Sequence, residues 1–257
     1  MSERAGNGER STLYSCDRDA NGHQRKLVRC RSREPDTDVP SADNEVYVKL
    51  AVVGDANVGK TTLLLRFLHD RFEEKRRVTE GVDCQAIWLK SNHPHYDRRT
   101  HVQLIDTAGQ ERYSAMVPQM LSGAQGIFLV FDATSEESFA RVCNYWLDMV
   151  QRRNQSCVCM LVATKGDLYA ALQGKARWMD RMDMREQAAL LNCAGGFHVC
   201  SAKVGAHVNA MMIEMIDLAI EHEKKLMQMN PGVADAAGDV LRIGFGAKQR
   251  RAKDCAC

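Results

Sequence analysis

The chain has 257 residues and a formal net charge of +2 at pH 7, with 45% hydrophobic and 26% charged residues. That length suits one packed domain of roughly 150–200 residues with extensions, and the composition excludes a wholly disordered chain. No apolar run approaches the ~20 residues that a membrane-spanning helix needs.

The opening residues, MSERAGNGER, carry no apolar signal segment, and Ser2 stands where myristoylation requires glycine, so a cytosolic start is expected. Residues 1–45 are polar and mixed in charge, with Pro35 and Pro40 near their end, and read as a disordered extension. From residue 46 strands and helices alternate. The apolar strand VYVKLAVVG enters a glycine turn and then the helix KTTLLLRFL. VDCQAIWLK and THVQLIDT read as two strands joined by the polar stretch SNHPHYDRR. GIFLVFDAT is a buried strand, after which Thr134 and Glu137 fit a capping box that opens a helix. The strand CVCMLVAT, a helix around MDMREQAALLN and the strand FHVCSA follow.

In the last helix Val208, Met211, Met212, Met215, Ile216 and Ala219 recur at helical spacing on one face, which predicts core filling. Past Met229 the periodicity is lost and the chain reads as a tail. Such alternation predicts an α/β fold, a mostly parallel sheet covered on both faces. Six of the ten cysteines, Cys84, Cys143, Cys157, Cys159, Cys193 and Cys200, sit in apolar segments and are expected to be reduced core thiols.

Four short motifs carry chemistry. GDANVGKTT places Gly54, Gly59, Lys60 and Thr61 in the phosphate-loop pattern between a strand and a helix. Glycines let backbone N–H groups curl round a phosphate, the helix N-terminus adds positive potential, Lys60 neutralises phosphate oxygens and the Thr61 hydroxyl suits Mg²⁺. In DTAGQE, Asp106 ends a strand where a carboxylate reaches Mg²⁺ through water. Gly109 offers a free N–H to a γ-phosphate and Gln110 an amide to orient an attacking water. TKGD and SAK follow two further strands and bring Asp167 and Ala202 to the same sheet edge. A carboxylate there accepts from both N1–H and the exocyclic amine of guanine, which adenine does not offer.

These motifs resemble those of the Ras superfamily of small GTPases, and TEGVDCQ, QLIDTAGQERY and LVFDAT resemble its Rab branch most. The resemblance covers roughly residues 46–226 and implies a P-loop NTPase fold with a sheet of about six strands. It assigns residues 46–227 to a G domain and 228–257 to a hypervariable tail. It implies GTP/GDP and Mg²⁺ as cofactors, with the nucleotide held by Gly54, Asn57, Val58, Gly59, Lys60, Thr61 and Thr62. Phe72 would lie over the guanine face; Thr164, Lys165 and Asp167 would hold the base, and Ser201, Ala202 and Lys203 would close over it. Thr61, Thr79 and Asp106 would serve Mg²⁺, while Gln110, Lys60 and Thr79 would act in GTP hydrolysis.

The tail ends RRAKDCAC, and Rab proteins commonly carry geranylgeranyl groups on such a Cys-x-Cys end, here Cys255 and Cys257. A C-a-a-X box would need cysteine where Asp254 stands. The implied function is a GTP/GDP-cycling membrane switch of vesicle trafficking on the cytosolic face of an endomembrane. The other reading is a nucleotide-binding membrane tether that does not cycle. Implied partners are an exchange factor, a GTPase-activating protein, a GDP-dissociation inhibitor or escort protein, effectors and the membrane, with no nucleic acid.

Three departures stand out. Thr164 replaces the asparagine usual in the base motif, and Glu80 replaces an apolar residue. Cys84, Ile105 and Met120 occupy the three positions where Rabs show partner-reading aromatics, so a changed partner set is expected.

Overall fold

The computed structural model describes residues 13–18, 24–30, 45–74, 82–91, 99–107 and 117–229, and one sheet runs through them. Its strands are β1 (Leu13–Arg18), β2 (Gln24–Cys30), β3 (Glu45–Val53), β4 (Val82–Ser91), β5 (Arg99–Thr107), β6 (Gly126–Asp132), β7 (Val158–Thr164) and β8 (Phe197–Val199). Across the sheet they lie in the order β1-β2-β4-β5-β3-β6-β7-β8. The neighbours from β5 to β8 pair in parallel, and β4 pairs antiparallel with β5. Strands β3 to β8 therefore form the mostly parallel six-stranded sheet that the sequence predicts.

Among the described residues, eight helical segments accompany these strands. These are α1 (Lys60–His69), α2 (Val117–Leu121), α3 (Glu136–Arg141), a π-turn over Val142–Trp146, α4 (Leu147–Arg153), α5 (Gly166–Ala171), α6 (Met184–Leu190) and α7 (Val208–Met229), leaving aside two short 3₁₀ turns. They divide between the two faces because successive strand residues point to opposite sides. Along β3, Leu50 and Val52 pack with Leu63 and Phe67 of α1 and Met211 and Met215 of α7. Ala51 and Val53 join the other layer with Phe131, Trp146 and Trp178. Burying each such large apolar side chain stabilises the fold by about 1.5–3 kcal/mol. The predicted stripe on α7 is buried in full, from Val208 to Ala219. Helix α7 lies so close to the sheet that a Cβ on Gly126 would sit 2.6 Å from Met215 Sδ.

Three expectations need correction. Residues before 46 are not without regular structure: β1 and β2 pair with each other, and β2 adds antiparallel to β4, with Leu27 opposite Ser91 and Cys30 opposite Trp88. An open edge strand presents unpaired N–H and C=O groups, and here a local hairpin takes them up. Helix α3 is capped by Ser135, which accepts from the Ser138 N–H at 3.2 Å, rather than by Thr134. The Thr134 hydroxyl is committed instead to Asp132 Oδ1 at 2.7 Å. Among the cysteines, Cys84 is exposed and Cys143 and Cys157 are half-buried, whereas Cys159, Cys193 and Cys200 are core thiols.

Candidate functional site: a phosphate cradle and a base pocket on one sheet edge

Strand β3 ends at Val53 and the chain turns sharply. Gly54 has φ +150°, and a Cβ there would stand 2.1 Å from the Val130 carbonyl oxygen, so no other residue fits. Asn57 (φ 63°) and Gly59 (φ 99°) are left-handed, and the loop folds back to place Gly59 at the start of α1. Lys60 is 5% exposed and donates Nζ–H to the carbonyls of Gly54 at 2.8 Å and Asp55 at 2.6 Å. Desolvation lowers its pKa to about 8, against the opposing pull of the Asp106 and Asp55 carboxylates. A buried ammonium is thus held by carbonyls inside a ring of backbone, an arrangement complementary to phosphate oxygens.

The next residue, Thr61, donates its hydroxyl to Asp106 Oδ2 at 2.5 Å. Asp106 is 3% exposed at the end of β5. A hydroxyl and a carboxylate oxygen side by side, beside the phosphate loop, form the hard-oxygen donor set that Mg²⁺ prefers.

A cavity of about 390 Å³ runs from this cradle to the second cluster. Asn57, Gly59, Lys60, Thr61 and Thr62 line one end; Phe72, Thr164, Lys165, Asp167, Ala202 and Lys203 line the other. The parallel register makes this possible, since β3, β6, β7 and β8 all end on one edge. Asp167 Oδ1 accepts from the Ser201 hydroxyl at 2.6 Å, which fixes the carboxylate at the pocket. Lys165 is left-handed (φ 56°) and its ammonium pairs with Asp132 Oδ2 at 2.6 Å. Gly166 lets this turn approach β8, because a Cβ there would be 2.9 Å from Val199 Cγ1. The Thr164 hydroxyl bridges the carbonyls of Val58 and Phe131, the latter at 3.0 Å, and so ties the base turn to the phosphate loop.

With the phosphate cradle and the base pocket joined in one cavity, the comparisons with known proteins agree. Residues 49–221 match the family model described as Ras family. The chain belongs to the Ras family, in its Rab-like branch. It is 33% identical over 208 residues to the Ras-related protein SEC4 of Candida albicans, a match covering 79% of this chain and 93% of that protein. It is 32% identical to the Ras-related protein RABC2b of Arabidopsis thaliana over 66% of this chain and 78% of that one. For the Ras-related protein Rab-18 of Caenorhabditis elegans the identity is 35%, over 47% of this chain and 58% of that one. The protein is accordingly a GTPase, a Rab-like small G protein of vesicle trafficking.

Of the residues read from the sequence, Thr79, Gly109, Gln110, Cys255 and Cys257 lie outside the described residues. Gly54 and Val58 sit in the loop backbone and Ser201 supports Asp167. Among the three positions that replace aromatics, Cys84 is exposed and accepts from Gln103 Nε2 at 3.0 Å, while Ile105 is buried in the core and Met120 half-buried. Sequence reading missed Asp132 as the partner of Lys165, Thr107, whose hydroxyl bonds the Val52 carbonyl at 2.7 Å, and Trp146 and Arg141 as partners of Asp55. Asp132 alone left a signal, a carboxylate at a strand end. Among the described residues no cluster of three or more His, Cys, Asp or Glu suits a separate metal, and no helix is long and apolar enough to cross a membrane.

Proposed function

We propose that this GTPase holds GTP or GDP with its phosphates on residues 54–62 and its guanine against Lys165, Asp167, Phe72 and the turn 201–203. One observation carries the reading: a single cavity has a buried lysine in a glycine cradle at one end and a Ser201-held carboxylate at the other. Asp167 accepts from the base N1–H and exocyclic amine, Lys60 neutralises the β and γ oxygens, and Phe72 covers a ring face. Thr61 and Asp106 would hold Mg²⁺, which neutralises charge on the transferring phosphate. Thr79 and Gly109 sense the γ-phosphate, and Gln110 orients the attacking water.

Hydrolysis then releases the loops around Thr79 and Gly109, so that exchange factor, activating protein, escort protein and effectors distinguish two states. Cys84 on the exposed side of β4, in place of an aromatic, gives that surface a partner set of its own. The tail anchors the protein to the cytosolic face of an endomembrane through geranylgeranyl groups on Cys255 and Cys257. Nothing favours a tether that does not cycle.

The test is nucleotide analysis of the purified protein with single-turnover hydrolysis. Bound GDP, and loss of intrinsic hydrolysis in Gln110→Leu at unchanged GTP affinity, are expected. An empty or ADP-filled site would overturn the reading.

A further inference from the structure

We infer that Arg66, on the last turn of α1, is a positioning residue that staples the two walls of the base pocket and sets recognition of the purine 6-oxo group. This rests on the reading that Asp167 and the turn 201–203 hold the base. The Arg66 guanidinium donates Nε–H to the Ala202 carbonyl at 2.6 Å and Nη2–H to the Lys203 carbonyl at 2.9 Å. Its third nitrogen, Nη1, donates to the Asp70 carbonyl at 3.1 Å and to Asp70 Oδ1 at 2.8 Å. One planar fork thus satisfies four acceptors drawn from two segments far apart in sequence. One segment follows β8; the other is the left-handed end of α1 at Asp70 (φ 51°), two residues before Phe72.

Ala202, Lys203 and Phe72 line the cavity, and Arg66 is not among the lining residues. A trans peptide points its C=O and N–H in opposite directions. Pinning the Ala202 carbonyl to the guanidinium therefore turns the Lys203 N–H away from Arg66, towards the side on which the base would lie. A donor there meets the 6-oxo oxygen, while Asp167 reads the adjoining N1–H and 2-amine. A further link between the segments, Lys203 to Glu74 at 3.5 Å, is exposed at both ends and holds little. Lysine cannot replace the fork, because a single ammonium does not span both carbonyls and Asp70.

The experiment compares binding of GDP, IDP and 2-aminopurine riboside diphosphate to the full chain, by competition, for wild type, Arg66→Lys, Arg66→Gln and Asp167→Ala. Arg66→Lys should weaken GDP and IDP alike by about tenfold, the scale of a hydrogen bond lost to an ordered donor. It should leave the 2-aminopurine nucleotide, which has no 6-oxo group, unchanged. Arg66→Gln serves the same comparison should the lysine variant not stay folded, and thermal melts report folding for both. An equal loss for all three nucleotides, or no loss, would overturn the inference. Asp167→Ala should collapse the difference between GDP and IDP; if it does not, the base-pocket reading itself fails, independently of Arg66.

Discussion

Trp146 donates its indole N–H to Asp55 Oδ1 at 2.7 Å, joining the middle of a helix to the phosphate loop. Trp146 closes the π-turn Val142–Trp146, the kind of local widening of a helix that re-aims a side chain at a functional site. Arg141 Nε, at the head of that turn, completes the grip on the same carboxylate at 3.0 and 3.1 Å. The Asp55 carbonyl is one of the two that hold Lys60, so fixing the Asp55 side chain fixes the cradle.

Removing the indole donor should therefore loosen the loop. A hydrogen bond to a charged group is worth about 1.5–3 kcal/mol, and Trp146 is 2% exposed, so Trp146→Phe adds a cavity cost as well. The expected outcome is a lowered melting temperature together with GDP release several times faster. Asp55→Ala, which removes the acceptor and no core volume, should reproduce the faster release with a smaller loss of stability. Stopped-flow release of a fluorescent GDP and thermal melts separate the two effects; wild-type release from Asp55→Ala would show that the contact serves packing only. Arg141→Ala should do less, because that side chain is 46% exposed.

Asp167→Asn should move base preference from guanine towards xanthine. Ser201 donates to Asp167 Oδ1, and in the variant the amide oxygen keeps that bond while the amide nitrogen turns to the pocket. A donor there suits the xanthine 2-oxo group and opposes the guanine 2-amine. Competition of labelled GTP with XTP measures the change, and no gain for XTP would remove Asp167 from the base edge.

Lys60 gives nucleotide binding a pH dependence. Burial holds its pKa at about 8, below the ordinary lysine value of 10.5. Between those two values the folded, nucleotide-free protein binds fewer protons than the unfolded chain, so its stability rises with pH through that window. Phosphate oxygens favour the ammonium, so binding takes up a proton above pH 8. GDP affinity should be flat from pH 6.5 to 7.5 and then fall, approaching about tenfold per unit once Lys60 is neutral in the free protein. Titrations between pH 6.5 and 9 check this, and a flat profile to pH 9 would place the lysine proton elsewhere.

Replacing Cys255 and Cys257 together by Ser should shift the protein from membranes to cytosol, and single replacements should weaken membrane binding. One acyl chain anchors only marginally, with a constant of about 10⁴ M⁻¹, and stable attachment takes two signals. Lys248, Arg250, Arg251 and Lys253 add about 1 kcal/mol each at an anionic surface, screened by salt. Mass spectrometry of the C-terminal peptide from a eukaryotic host, with fractionation of the variants, reads both ends of the claim. Unmodified thiols, or unchanged fractionation of the double variant, would leave a GTPase anchored by other means or by none.

The phosphate loop, the TKGD turn and the SAK turn were legible in the sequence because each is one short peptide. Gly54, Gly59 and Lys60 lie within seven positions, and their chemistry follows from a glycine turn between a strand and a helix. The alternation of apolar strands with amphipathic helices likewise determined the α/β class, and the Val208–Ala219 stripe its last core helix. Contacts between distant segments were decided only by the tertiary structure. Thr164 meets the Val58 carbonyl across 106 positions, and Arg66 meets Lys203 across 137. In the sequence Arg66 is one more basic residue on a helix, and nothing local distinguishes it from a solvated one. Its role depends on how α1 lies beside the turn after β8. The hairpin of β1 and β2 was missed for a related reason: a short polar strand forms where an open sheet edge supplies its hydrogen bonds, and that edge exists only once β4 has folded. Periodicity tells which face of an element is buried; sheet order and register decide what that face meets.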